Sequence, residues 1–493
     1  MNKYESIYVI GIDQGTSSFR SWIFDCRNGH CVSNHSVDTK SLINDEGYIE
    51  HDPFDLWQNA QDCIETTINK FLSKPDCKIE QIKAMGISHP RETCLCWNKN
   101  TRKAYSNAIV YNDLRSQCYI DDLISKNGLF AVSDKTGLPQ GTYFCASKIK
   151  WILDNSSMKD DINNGAVFGS IDTWLIWNLT NELKTDVTSA ARTNLFNIKT
   201  LRWDDELCNY YGIPINILPI VQESFSTFGI INHGPLKGVP IKVVLGDQFA
   251  SLYGQNCILP GNTKVTLGTG ASLLCNIGKT FQYEKNGLMY TIVSQIEGNV
   301  QFGVEGVIPC AGASIKWLIN NLNISQNETD IEQLINATND INNVYFVSTF
   351  TGTYTPDWNT KMKACILGLS LNTTIGNIAR SCLESIAFQI ARFALLMEKS
   401  NIEINQLVID GGMSSNNTLI QMIANLTKMD TVVAFNKEAG VYGVARLASR
   451  SFHITMPTVK KKSKVYHPNM NDDERIKKIK MWNKAFNTIK EFE

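Results

Sequence analysis

The chain carries one short pattern twice, once at the head of each half, and this repetition restricts its fold more than any other feature. Near the start, Ile7-Tyr8-Val9-Ile10-Gly11-Ile12 is an apolar, β-rich run that reads as a buried strand. It ends on Asp13-Gln14, turns through Gly15-Thr16-Ser17-Ser18 and enters a second strand, Arg20 to Asp25. Asn262-Thr263-Lys264-Val265-Thr266-Leu267-Gly268-Thr269-Gly270-Ala271-Ser272-Leu273-Leu274-Cys275-Asn276 repeats the layout of strand, Gly-Thr turn, strand. Such a hairpin presents backbone N–H groups, hydroxyls and, at Arg20, a cation to an anion, with an acid beside them. Singly, each is equally consistent with an ordinary turn. Together they read as two copies of one fold facing each other, with a phosphate grip on each side.

At 493 residues the chain has room for roughly two to four domains and a large core. A formal net charge of −1 argues against electrostatically driven binding to nucleic acid or acidic membranes. No apolar run approaches the length of a membrane span. Met1 to Glu5 lead straight into the first strand, leaving no room for an export signal, so the expected location is cytoplasmic. The 14 cysteines are irregularly spaced and read as reduced, mostly buried thiols. Cys94-Leu95-Cys96 lies on an expected strand with no second pair nearby, which argues against a metal site.

Along the chain, strands alternate with helices in an α/β pattern. The spacing of Leu56, Ala60, Ile64, Ile68 and Leu72 predicts a helix over 54–72, followed by a short buried strand over 82–88. Phe168 to Leu175 reads as a strand running into a helix capped by Asp172. An apolar strand over 241–247 precedes a helix from Phe249, and the second half opens near Gln255. There, a long amphipathic helix is expected over 378–397, and a strand ending in Gly411-Gly412 leads to a helix over 417–426. The charged tail, 460–478, reads as a solvated surface segment.

Several residues could carry chemistry. Asp247 stands at the mouth of the buried run Val243-Val244-Leu245-Gly246, where an acid is either a helix cap or a general base. Arg91-Glu92 follows a strand end and is either a surface ion pair or a polyol clamp, with Arg donating to hydroxyl oxygens and Glu accepting hydroxyl protons. Tyr111 and Tyr143, taken alone, are ordinary core or rim residues.

These motifs, in order and over nearly the whole chain, resemble the FGGY carbohydrate kinases, and within that family they look most like the glycerol kinase type. The resemblance implies an α/β fold of two actin-like ATPase (ribonuclease H-like) domains, 1–254 and 255–493, with a deep cleft between them. It implies polyol mainly on the first and ATP mainly on the second. It also implies transfer of phosphate from ATP to a primary hydroxyl of a small polyol, glycerol giving glycerol 3-phosphate, with Mg²⁺ as cofactor and a homodimer or homotetramer as the assembly. Residue by residue, Asp247 matches the general base. Arg91, Glu92, Tyr111, Tyr143, Asp247 and Gln248 match the polyol site. Thr16, Ser17, Arg20, Thr269, Gly312, Gly412 and Asn416 match the nucleotide site, and Asp13 matches the Mg²⁺ acid. The chain departs from the pattern at Pro90, Tyr111 and Lys316, and at Ser272, where a Phe is usual. Losing that aromatic wall should weaken apolar contact by about 1–3 kcal/mol and enlarge the pocket. A kinase for another polyol or a pentulose is therefore the alternative, and a non-catalytic sugar or nucleotide sensor is the alternative from another class.

Overall fold

Each half builds a five-stranded unit with the same strand order, which is the structural form of the sequence repeat. The computed structural model describes residues 6–325, 327–338, 340–434, 438–457 and 463–490. In the first half, Tyr8–Gln14, Ser18–Asp25 and Cys31–Asp38 form an antiparallel meander. Ile82–His89 then pairs parallel to the first strand, and Pro240–Gly246 pairs parallel to it in turn. In the second half, Asn262–Leu267, Ala271–Gly278 and Asn299–Ile308 form the meander, with Met289–Ile296 outside it. Gln406–Asp410 and Thr431–Val433 complete the parallel side. The parallel strands are apolar along their length because helices cover both faces. The two units join into one thirteen-stranded sheet through Phe225–Ile230, whose Phe225 pairs with Ile296.

The helix expected over 54–72 spans Pro53–Leu72; Asp52 caps it by accepting from the Phe54 and Asp55 amides, and proline takes the first turn. The long helix of the second half is Ile375–Lys399, opened by a capping box between Thr374 and Asn377. At the join, helix Asp247–Gly254 crosses helix Ala439–Ser449, and glycine is required there by contact distance. A Cβ on Gly443 would lie 1.9 Å from the Ala250 carbonyl oxygen, and one on Gly254 would lie 2.0 Å from that of Ala439. Helix Ala439–Ser449 also lies against the first-half sheet, so this crossing ties second-half backbone to first-half strands.

One expectation is corrected. Asp172 is not a cap: helix Ile171–Thr180 begins one residue earlier, and the Asp172 carboxylate accepts from Ser170 Oγ and Thr185 Oγ1. The charged tail is mostly exposed over 463–478, as expected, with Tyr466 buried; 460–462 lie outside the described residues. Lys464–Tyr466 adds a strand beside Thr431–Val433, and helix Asp472–Lys490 buries Trp482, Ala485, Phe486 and Ile489. Trp482 stacks on Phe388 of the long helix at 5.4 Å. The cysteines are free and mostly buried, as expected.

Candidate active site

Two neighbouring parallel strands end side by side and aim their following residues into one region. Strand Pro240–Gly246 delivers Asp247, and strand Ile82–His89 delivers Arg91 and Glu92. The cap of helix Asp247–Gly254 is Gly246, so Asp247 is free of the capping role; its carboxylate accepts only from the adjacent Gln248 amide at 2.7 Å among its hydrogen bonds given by the described residues. Its side chain is 38% exposed and lies 3.3 Å from Arg91 Nε. Gln248 reaches the second hairpin, where its Oε1 accepts from Lys264 Nζ at 2.9 Å and from Thr266 and Ser272 hydroxyls at 3.2 Å each.

Arg91 and Glu92 are buried and braced. Both terminal nitrogens of Arg91 donate to Glu305, at 2.9 and 2.7 Å, and Glu92 Oε1 accepts from Arg192 Nε at 2.5 Å. Burial alone would push the Glu305 carboxyl up, but the charges of Arg91 and Arg192 outweigh it and hold it below the ordinary range. Glu92 adopts φ +61°, a left-handed conformation that a non-glycine residue keeps only where its surroundings impose it. Buried Lys148 supplies that constraint, donating to the carbonyl oxygens of both Glu92 and Tyr143.

Tyr143, in the loop before helix Cys145–Asn155, meets Tyr111 at 5.5 Å and Tyr354 of the second half at 5.1 Å. Burial, reinforced by the charges of Asp247 and Glu92, raises the Tyr111 phenol above its usual range; burial and Glu92 do the same at Tyr143. Both phenols stay protonated at neutral pH and can donate. Tyr143, Tyr354 and Trp358 also line an interdomain cavity of about 340 Å³.

On the other side, Asp13 faces Arg20 across the first hairpin. Ser88 Oγ donates to Asp13 at 2.5 Å, while the Arg20 guanidinium stands off at 3.7 Å and approaches Glu438 at 3.1 Å. Burial raises the Asp13 carboxyl above the ordinary range, despite the lowering effects of Ser88 and Arg20. Thr16 and Ser17 lie exposed in the turn of that hairpin, and Thr269 lies exposed in the turn of the other. The second turn is fused to a helix start: the Gly312 amide donates to the Gly268 carbonyl, and the Ala311 and Ala313 amides donate to that of Thr269. Gly411, at φ +92°, presses on the backbone of Leu267, whereas Gly412 faces open space. Asn416 is a helix cap whose side-chain oxygen is taken by the Leu419 amide.

Comparison with known sequences settles the family. Profiles described as the N-terminal and C-terminal domains of the FGGY family of carbohydrate kinases match residues 8–254 and 263–452. The chain belongs to the FGGY carbohydrate kinases. Relatives of this FGGY chain include the glycerol kinases of Fusobacterium nucleatum, 37% identical over 99% of both chains, and of Leifsonia xyli, 34% identical over 97% of this chain and 96% of the relative. A crystal structure of Plasmodium falciparum glycerol kinase with ADP superposes with a TM-score of 0.91 at 31% identity, covering 98% of each chain. A xylulose kinase from Lactobacillus acidophilus, at 21% identity and a TM-score of 0.85, shares the fold over 98% of this chain and 97% of its own.

Three residues at the candidate site escape the sequence reading: Glu305, Arg192 and Tyr354. Glu305 was detectable in principle, because an acid inside the apolar run Gly303-Val304-Glu305-Gly306-Val307 is the kind of signal that marked Asp247. Arg192 and Tyr354 gave no such signal. Lys316 is exposed on helix Gly312–Leu322.

Proposed function

We propose that this protein transfers a phosphoryl group from ATP to a primary hydroxyl of glycerol, giving glycerol 3-phosphate. The observation that carries the reading is the position of Asp247. Its partly exposed carboxylate meets Arg91, lies within electrostatic range of Asp13, and has a neighbour, Gln248, that reaches the second hairpin. Phosphoryl transfer asks the protein mainly to position reactants and offset charge, and Asp247 accepts the hydroxyl proton as the new P–O bond forms. Arg91 presents its Nε edge to a hydroxyl oxygen beside Asp247, Glu92 and Gln248 complete the polar wall, and the protonated phenols of Tyr111 and Tyr143 close the aromatic one. Thr16, Ser17, Arg20 and Thr269 would hold phosphate oxygens, Gly312 and open-faced Gly412 would admit the nucleotide close to the backbone, and the free amide of Asn416 would donate to it.

Asp13 fits a divalent cation, since its carboxylate is 14% exposed and incompletely compensated by an arginine drawn toward Glu438. Bound Mg²⁺ would offset phosphate charge at that position. In this reading residues 1–254 mainly bind polyol and 255–493 mainly bind ATP, and their closure excludes water. The protein would work in the cytoplasm as a homodimer or homotetramer, which light scattering on the purified protein checks; no helix among the described residues is long and apolar enough to cross a membrane.

ADP release coupled to a reporter enzyme, with glycerol, erythritol, ribitol and xylulose as acceptors, tests the function. Efficient glycerol-dependent release supports it, and release independent of any polyol overturns it. One observation favours a second reading: Ser272 turns its hydroxyl to Gln248, so the pocket has a polar wall there and could admit a longer polyol. Higher catalytic efficiency on ribitol or erythritol than on glycerol would establish that alternative.

A further inference from the structure

Arg91, Glu305, Arg192 and Glu92 form a continuous chain of charges in which two guanidinium groups alternate with two carboxylates. Glu305 Oε2 accepts from Arg91 Nη1 and lies 3.2 Å from Arg192 Nη1, while Arg192 Nε donates to Glu92. All four side chains are almost fully buried, at 5%, 0%, 0% and 2% exposure respectively. Three come from the first half and Glu305 from the second, 214 residues away from Arg91. Buried ion pairs of this kind are not needed for stability, since apolar residues fill such a space as well or better. Their geometry has a sharper consequence. Glu305 takes the end-on fork of Arg91, so the edge that faces Asp247 is the one bearing Nε, which is buried and has no hydrogen-bond partner among the described residues. Arg192 in turn holds Glu92 through a single Nε contact to its carboxylate.

We infer that Glu305 and Arg192 are positioning residues for the polyol clamp. Glu305 orients Arg91 so that its Nε edge, rather than its fork, meets the substrate hydroxyl beside Asp247. Arg192 holds the Glu92 carboxylate at a fixed angle to the same hydroxyls. Because Glu305 belongs to the second half, the clamp has its full geometry only when both halves are together, which couples polyol recognition to closure. The inference rests on the reading of Arg91 and Glu92 as the polyol-binding pair.

Steady-state kinetics with glycerol and ATP varied separately test it, on wild type, Arg91→Ala, Glu305→Gln, Arg192→Lys and the double variant Arg91→Ala/Glu305→Gln. Glu305→Asp, which keeps the charge but shortens the reach, replaces Glu305→Gln if that variant does not fold. The expected result is a glycerol KM raised by about tenfold or more in the Glu305 and Arg192 variants, with the ATP KM within about twofold of wild type, the signature of lost ground-state binding at one substrate. The double variant should be no worse than Arg91→Ala, because Glu305 acts through Arg91. An unchanged glycerol KM in Arg91→Ala overturns the clamp and the inference with it. A raised glycerol KM in Arg91→Ala but not in the Glu305 variants, or effects that multiply in the double variant, overturns the inference alone.

Discussion

Replacing Asp247 by Asn keeps the shape of the side chain and removes its ability to take a proton. The structure separates the two consequences. The folding cost is small: the carboxylate is 38% exposed, and among the described residues its ion pair is with Arg91 at 3.3 Å, a buried cation that Glu305 also compensates, so the loss should stay at about 1 kcal/mol. For units of this size that corresponds to a fall in Tm of up to about 4 °C. The catalytic cost is larger. A positioned general base contributes about 10²–10⁴ in rate, or about 2.7–5.4 kcal/mol at 1.36 kcal/mol per tenfold. Asp247→Asn should therefore lose at least about a hundredfold in kcat for glycerol-dependent ADP release. Nucleotide affinity by calorimetry should remain within about twofold, since the nucleotide-side candidates lie on other residues. A kcat within about tenfold of wild type, in a protein with near-native Tm, would remove Asp247 from the base role and leave the proposed mechanism without a proton acceptor.

Three further outcomes follow from packing and charge. Gly443→Ala drives a methyl group into the Ala250 carbonyl at the helix crossing, so urea denaturation should show a loss of about 1–3 kcal/mol or more, with reduced turnover because the crossing joins the two halves. Trp482→Ala removes the ring stacked on Phe388 and should cost about 3–5 kcal/mol by the same assay; a loss under about 1 kcal/mol would show that this ring does not anchor the last helix. Burial would raise the Asp357 carboxyl, but its hydrogen bonds to Arg392 and Lys490 hold it below the ordinary range. A lowered folded pKa contributes stability above the unfolded value, near about pH 4, that is lost as pH falls through the folded one. Asp357→Asn should thus destabilise by about 1.5–3 kcal/mol at pH 7, with the deficit against wild type shrinking below about pH 4 in thermal melts.

Much of the site was legible because its backbone is local. Both hairpins are set by alternation and turn chemistry within a few residues, and the acid after an apolar strand marks Asp247 as a cap or a base, the choice between them coming from the family resemblance. Just beyond the exposed charged run, Trp482, Phe486 and Ile489 recur at helical spacing on one face, so the burial of the last helix was legible in principle. Asp172 was misplaced because the strand passes into the helix without a gap, so the first acid looked like the cap. Arg91-Glu92 reads as a surface ion pair or a polyol clamp; burial of both side chains removes the first, and nothing near the pair in sequence discloses its partners.

Neighbouring residues alone specify the repeated strand-turn-strand units, the α/β alternation and which residue types stand at the strand ends, because each depends only on local side-chain properties. The pairing of Glu305 with Arg91 across 214 positions, of Arg192 with Glu92 across 100, and of Tyr354 with Tyr143 across the two halves comes from packing alone. The reason is physical: a buried charge must be matched wherever the fold brings a counter-charge within reach, and which element arrives there depends on how the two halves pack.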